Sequence, residues 1–456
     1  MIHRILIANR GEIAVRIIRT CKEMGIETVA VYSQPDRDSL HVQLADESVC
    51  IGPASSTLSY LNMNNILEAA LNMGCDAIHP GFGFLSENAK FARLVEQCDL
   101  IFIGPNPSII EKMGNKMKAK ETMKLANIPV IPGSEGIVKT AQEAVEIAKD
   151  IGFPIIIKAV AGGGGRGMRL AKSEDDVIPA YLAAKSEAKA AFKNDDVYIE
   201  KLFTNTKHIE VQIMADKHGN VLHLFERDCS FQRRHQKMIE ETPCHMLSND
   251  VRDRIINDAI KAARFVDYDN VGTIEFLLDQ NMNHYFMEMN TRIQVEHPIT
   301  EMITGIDIVK NQIIAASNRP LNIKQEDIKQ EGYSIECRIN AEDTKNNFAP
   351  SPGTIEFVHF PAGRNVRIES AVYNGMEISP FYDSMIVKVV VYGATRLEAI
   401  KKMREALEEM IVEGVKTNIE FHYFVLHHKD FVEGKYTTEF ADSFIKELLS
   451  REEYIQ

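Results

Sequence analysis

A chain of 456 residues is too long for one hydrophobic core, and about two to four domains are expected. With 45% hydrophobic and 26% charged residues it has the composition of an ordinary globular protein, and a net charge of −13 argues against a generic binder of nucleic acid or anionic membrane. Seven cysteines are scattered and never form CxxC, which disfavours a zinc site and fits a reducing cytosol, and no apolar run is long enough to span a bilayer.

The first segment, MIHRILIANRGEIAVRI, interrupts its apolar residues with charges and so does not read as a signal peptide. HRILIAN has the pattern of a buried strand. GEIAVRIIRTCKEMG follows as a helix with Ile13, Ile17 and Cys21 on one face. ETVAVYS, DAIHPGF and LIFIGP are further strands, and FARLVEQ is helical. This is a βαβ series with a parallel sheet. Its first turn, ANRGEIA, has one glycine and no GxGxxG, which disfavours a nicotinamide cofactor.

The texture changes from about Ile131 to Phe203. VKTAQEAVEIAKDIG predicts a helix, and FPIIIKAVAGGGGRGMRLAK runs apolar, glycine-rich, then apolar again. Gly162 to Gly165 and Gly167 allow either a flexible hairpin loop or a nest of N–H groups for phosphate. Lys158 just before the tract and Arg166 within it favour phosphate. A strand rather than a helix follows and GxxxxGK[ST] is absent, so a mobile β-hairpin lid over ATP fits better than a Walker A loop.

Period-2 strands then dominate: HIEVQIMAD, NVLHLFERD, GTIEFLLD and HYFMEMN. A four-residue loop at 280–283 would set Asp279 opposite His284, Leu277 opposite Phe286 and Glu275 opposite Glu288. Two facing carboxylates repel. Either both are exposed or a divalent cation lies between them, with Asn290 adding a neutral oxygen; such hard donors suit Mg²⁺ held against phosphates. Leu277 and Phe286 would floor an adenine. FQRRHQK is either a solvated basic loop or a source of contacts from Gln232, His235 and Lys237 to ribose hydroxyls and an anionic substrate.

In MEMNTRIQVEHP, alternate residues Glu288, Asn290, Arg292, Gln294 and Glu296 are polar. The strand is expected to end near Asn290, with a loop from Arg292 and His297 extended or turning before Pro298. SIECRINAE, GTIEFVHF and MIVKVVVYG are later strands, and RLEAIKKMREALEEMIVEG reads as the closing helix. Arg338 has Glu336 and Glu342 near it in sequence as partners for a structural salt bridge.

KAVAGGGGRGM, ERDCSFQRRHQK, TIEF, EMNTRIQVEHPITE and ECRINAED, in that order, resemble the biotin carboxylase family of the ATP-grasp superfamily, as do IANRGEIAVRI and HPGFGFLSEN. The resemblance covers nearly the whole chain. One departure is Ala161, where many relatives extend the glycine run. The resemblance implies an α/β and α+β chain: an N-terminal Rossmann-like parallel-sheet domain at 1–114, an ATP-grasp domain at 115–330 with a glycine-rich lid at 131–203, and a mixed C-terminal domain at 331–446.

It also implies roles. Lys116 and Lys158 would hold ATP phosphates under Gly164 and Gly165. Glu200, Lys201 and Phe203 would read adenine, and His208, Gln232 and His235 the nucleoside. Glu275, Glu288 and Asn290 would bind two Mg²⁺ ions, with Mn²⁺ able to substitute. Lys237, Arg292, Gln294 and Val295 would form the bicarbonate pocket, Glu296 would be the base, and Arg338 would stabilise the biotin enolate. The expected reaction forms carboxyphosphate from bicarbonate and ATP and then carboxylates biotin. No AMKM-type biotinylation motif is present, so the biotin carboxyl carrier protein and the carboxyltransferase are expected as separate chains. Acetyl-CoA is the expected final acceptor, in fatty acid synthesis, with pyruvate and propionyl-CoA as alternatives. A cytoplasmic homodimer without nucleic-acid or membrane partners completes the expectation. Another ATP-grasp ligase, a nucleotide-binding regulator and a dehydrogenase are the competing readings. RIQVEH with ECRINAED, the intact carboxylates and the missing GxGxxG disfavour them in turn.

Overall fold

The structure, a computed structural model, describes residues 2–160 and 167–450. At the N-terminus, β1 (Arg4–Ile7), β2 (Glu27–Ser33), β3 (Glu47–Gly52), β4 (Ala77–His79) and β5 (Ile101–Phe102) form a parallel sheet in the order β3-β2-β1-β4-β5. The helix Gly11–Glu23 buries Ile13, Ile17 and Cys21 against it, as its periodicity predicts. After β4 the chain turns sharply at Gly81 (φ +62), where a Cβ would stand 2.8 Å from Asn9 Nδ2. That same nitrogen donates to the carbonyls of Pro80 and Phe82. The turn is thereby fixed on the β1 side, and with it the approach of Glu87.

A small three-stranded unit follows. β6 (Ile155–Ala159) pairs antiparallel with β7 (Met168–Ala171) and with β8 (Val197–Lys201). Two helices, Ala141–Ile151 and Glu174–Phe192, pack on it around Val145, Ile155, Ile157, Ala184 and Ile199. The expected hairpin is present in its flanking strands. Ala161 to Arg166, including Gly164 and Gly165, lie outside the described residues.

The largest sheet has eight antiparallel strands. β9 (Lys207–Ala215), β10 (Val221–Arg233), β11 (Gln236–Thr242), β12 (Asn270–Leu278), β13 (His284–Asn290) and β14 (Tyr333–Asn340) join two later strands, Met385–Gly393 and Val366–Ser370. The order is β13-β12-β9-β10-β11-β14, then Met385–Gly393 and Val366–Ser370. Hydrogen bonding runs unbroken from β11 to β14 and so through the C-terminal portion. β9 explains the asymmetry of the two faces. Ile209, Val211 and Ile213 pack towards the helix Asn249–Phe265, while His208, Glu210 and Gln212 point to the other side, equally buried.

Four expectations are corrected. The β12–β13 hairpin pairs Leu278 with His284, Leu277 with Tyr285 and Phe276 with Phe286, and a bulge at Met287 then restores Glu275 opposite Glu288. The loop has five residues, closed by Asp279, whose Oδ1 accepts from the N–H groups of Asn281 and Asn283. Phe286 consequently lies in the core, not under a ligand. GTIEFVHF breaks into Gly353–Thr354 and Phe357–His359, which pair with different strands. The closing helix stops at Glu409; Ile411–Glu413 is a strand, and three helices follow among the described residues. His297 opens the helix His297–Thr304, because a proline at the next position has no N–H to lose in a first turn. Among the described residues no helix is long and apolar enough to cross a membrane.

Candidate functional site

Across β13, β12, β9 and β10, Glu288 stands opposite Glu275, Glu275 opposite Glu210, and Glu210 opposite Arg227. Three carboxylates thus form one transverse row ended by a guanidinium. Like charges directly opposite are destabilising, so the row requires cations. Arg227, fully buried, donates from Nε to Glu210 Oε1 at 2.5 Å. Lys237, two residues into β11, donates to Glu210 at 2.6 Å, Glu275 at 3.0 Å and Glu296 at 2.6 Å. His208 Nε2 lies 3.1 Å from Glu275 Oε2, while its Nδ1 accepts from Gln232 Nε2 at 2.8 Å.

Burial raises the pKa of Glu275 and Glu296. Lys237 and His208 outweigh it at Glu275, and Lys237, Arg338 and Arg227 outweigh it at Glu296, so both stay well below the usual carboxylate range. Lys237 is driven the other way: burial lowers it, and Glu210, Glu275 and Glu296 hold it well above the usual lysine range.

The segment after β13 joins the row to the C-terminal strands. Arg292 donates from Nε to Glu87 Oε2 at 2.9 Å and from Nη2 to Asn290 Oδ1 at 2.9 Å. Glu87 also accepts from the Thr291 N–H at 3.1 Å, so the HPGFGFLSEN motif braces this segment from the N-terminal sheet. The Gln294 carboxamide donates to Glu275 at 2.8 Å and accepts from Arg227. The carbonyl of Val295 accepts from Lys388 Nζ at 2.8 Å. Glu296, 2% exposed, accepts from Lys237 on one oxygen and from Arg338 Nη2, at 2.9 Å, on the other. Arg338 reaches Glu240 as well, at 2.6 Å from Nε. Its ion-pair partners are therefore Glu240 and Glu296, not its sequence neighbours Glu336 and Glu342. Arg292 and Glu296 flank Gln294 but turn to different partners.

Behind Arg338, Glu240 and Glu336 face each other across β11 and β14, both fully buried. Among the described residues neither oxygen of Glu336 has a hydrogen-bond partner. Burial pushes Glu240 up to about 7 and Glu336 well above the usual carboxylate range; Glu296 adds to the rise of Glu240, and Glu240 to that of Glu336. Arg338 favours the charge on Glu240, so the shared proton belongs on Glu336.

The opposite end of the row is more open. Lys116 begins the helix Lys116–Leu125 and lies 3.4 Å from Glu288. Lys158, at the end of β6, donates to Glu200 at 2.6 Å, and Lys120 holds the other Glu200 oxygen at 2.5 Å. Burial disfavours charge on Glu200, and these two lysines lower its pKa nonetheless. Lys201 spends its ammonium on the carbonyls of Gly152 and Phe153. Phe203 stacks on Tyr285 at 4.8 Å, beside Leu277. His235 is exposed in the β10–β11 turn, away from the buried Gln232 and His208. A cleft of about 470 Å³, within the range of small-molecule sites, is lined by Glu87, Lys116, Val160 and Tyr198 among others.

Glu275 and Glu288 as cross-strand partners, with the Asn290 carboxamide beside Glu275, make a hard-oxygen set that fits a divalent cation. His208, Glu210 and Glu275 form a second cluster whose ligand atoms lie within 4.8 Å of one another. Sequence reading missed Glu210, Arg227, Glu87, Lys120, Tyr285, Glu240 and Lys388. A signal existed for Glu210 and Arg227, as charged residues within strands otherwise rich in apolar residues. For the others nothing local distinguishes them.

The sequence matches the biotin carboxylase N-terminal domain over residues 1–110, the carbamoyl-phosphate synthase L chain ATP-binding domain over 115–324 and the biotin carboxylase C-terminal domain over 336–443. Biotin carboxylase 1 of Bacillus subtilis is 54% identical over 97% of this chain and 99% of its own length. The Campylobacter jejuni biotin carboxylase–β,γ-ATP complex superposes with a TM-score of 0.94 at 49% identity, over 97% of this chain and 99% of that one. The biotin carboxylase domain dimer of the Hydrogenobacter thermophilus 2-oxoglutarate carboxylase, in complex with MgADP, ADP and bicarbonate, gives 0.92 at 50% identity over 97% and 98%.

Proposed function

This chain belongs to the biotin carboxylase family and has its ATP-grasp fold, and on that premise we propose that it carboxylates biotin on a separate carrier protein, using ATP and bicarbonate. The observation that carries this reading is Glu296: buried, ionised, and held between Lys237 and Arg338 at the end of a segment with Arg292 and Gln294. Lys237 and Arg338 beside Glu296, with Arg292 in the same segment, offer cations to a small anion and keep a proton acceptor next to it.

Glu275, Glu288 and Asn290 would hold Mg²⁺, which would neutralise charge on the ATP phosphates. Lys116 and Lys158 approach those phosphates from two sides, and Leu277, Phe203 and Tyr285 offer an apolar bed for adenine. His208 lies against Glu275 and Gln232 against His208, and these two with His235 are the proposed nucleoside contacts. Arg292, with a planar fork, and Lys237 orient bicarbonate. Glu296 takes the hydroxyl proton, and the freed oxygen attacks the γ-phosphorus as ADP departs. The carboxyphosphate so formed yields CO₂ and phosphate; phosphate removes the N1′ proton of biotin and N1′ attacks CO₂. Arg338, whose guanidinium edge is already fixed by Glu240, stabilises the enolate. The unit at 131–203 covers the nucleotide as a lid and keeps water from the labile intermediate. The division into 1–114, 115–330 and 331–446 belongs to the same proposal, as do a cytoplasmic setting, a homodimer and a carboxyltransferase partner.

Acetyl-CoA is the acceptor we propose for the full system. The Hydrogenobacter relative, part of a 2-oxoglutarate carboxylase, gives a keto acid as the second reading. ADP release with ATP, Mg²⁺ and bicarbonate should rise with added biotin and require bicarbonate; independence from both would refute the assignment. The carboxyltransferase that co-purifies identifies the acceptor.

A further inference from the structure

The N-terminal motif IANRGEIAVRI has a polar residue, Glu12, that the reaction does not use. Glu12 is buried, and its Oε2 lies 3.0 Å from Lys388 Nζ, off the direction of a hydrogen bond. Lys388 is itself fully buried and donates to the carbonyl of Val295 at 2.8 Å. One ammonium therefore joins the first helix, the C-terminal strand Met385–Gly393 and the segment between β13 and the helix His297–Thr304.

The neighbouring peptide is held too. His297 Nδ1 lies 2.8 Å from the carbonyl of Gln294. A carbonyl only accepts, so Nδ1 has the hydrogen, and Nε2 is left with its lone pair and no partner among the described residues. A peptide unit is planar, so fixing its C=O also fixes the N–H that follows. The hold on Gln294 O aims the Val295 N–H, and the hold on Val295 O aims the Glu296 N–H. Arg227 and Glu275 meanwhile restrain the Gln294 side chain.

We propose that Lys388, seated by Glu12, and His297, as its Nδ1–H tautomer, are positioning residues that pre-set both peptide planes of the Gln294–Glu296 segment for bicarbonate. This rests on reading that segment as the bicarbonate pocket. Neither residue touches the substrate. Their loss should therefore appear as weakened use of bicarbonate, not of ATP.

The test is steady-state ADP release with bicarbonate and ATP varied separately, on variants whose melting midpoints are recorded. Lys388→Met and His297→Phe should raise the bicarbonate KM by about tenfold or more and leave the ATP KM within about twofold. His297→Asn keeps an N–H near the Nδ1 position and should recover most of the loss. Glu12→Gln should raise the bicarbonate KM about threefold, and it decides the matter if Lys388→Met does not fold. An unchanged bicarbonate KM in the folded variants, or equal rises for both substrates, overturns the proposal. A wild-type enzyme indifferent to bicarbonate would instead remove the pocket reading, and this proposal with it.

Discussion

The two ends of the Glu288–Glu296 segment hold their charges in opposite ways. At one end Glu288 and Lys116 are 38% and 57% exposed and 3.4 Å apart. At the other, Glu296 is 2% exposed and tied at 2.6 and 2.9 Å to Lys237 and Arg338. An exposed pair is worth about 0–1 kcal/mol and exchanges readily. A buried one has little net worth as a pair, but losing one partner is expensive, on the order of 3–5 kcal/mol. The end proposed for the nucleotide can thus release its cation to an incoming ligand, whereas the end proposed for bicarbonate is already held by buried ion pairs.

Substitutions can break this contrast, and their effects on stability differ in size. Lys237→Met leaves Glu210, Glu275 and Glu296 without their common cation and should cost about 3–5 kcal/mol, read as a fall in the denaturation midpoint. Glu296→Gln is milder, since Lys237 keeps two carboxylates and Arg338 keeps Glu240; about 1–3 kcal/mol is expected, with turnover down about 10²–10⁴-fold. Glu288→Lys should cost under about 1 kcal/mol and still abolish biotin-dependent ADP release, because a cation then occupies the metal position. Near-normal turnover in that variant would exclude Glu288 as a ligand.

The smallest effect is a pH dependence. The folded state raises the pKa of the Glu240/Glu336 pair, so it binds a proton that the unfolded chain has lost above about pH 4.5. The associated stability is full below that pH and declines as pH rises through about 7, the position of Glu240. Glu336→Gln cannot ionise. Its melting temperature should match the wild type at pH 5 and exceed it at pH 8; parallel curves would mean that the pair does not titrate there.

Much of this was legible in the sequence, for a local reason. Period 2 assigns residues to faces, and a four-residue loop would pair Glu275 with Glu288; that pairing holds because the five-residue loop and the bulge at Met287 offset each other. The bulge at Met287 was not visible, and Tyr285 was missed in favour of Phe286 because one extra residue inverts the pattern on one side only. Glu210 and Arg227 escaped for a different reason. β9 lies between β12 and β10, and that adjacency is decided by packing across long loops. Glu87 and Lys388 are further still in sequence, and their partnership with residues 291–295 exists only once all parts of the chain have assembled.

The unbroken ladder from β11 to β14 has one more consequence. A polypeptide ending near residue 330 would expose the N–H and C=O groups of Ile239 to Thr242, which now bond to Ser334 through Cys337. Such a fragment would present a raw sheet margin with a buried glutamate on it, an invitation to stick to its own copies. The segments that a sequence comparison separates are therefore not pieces that can be detached.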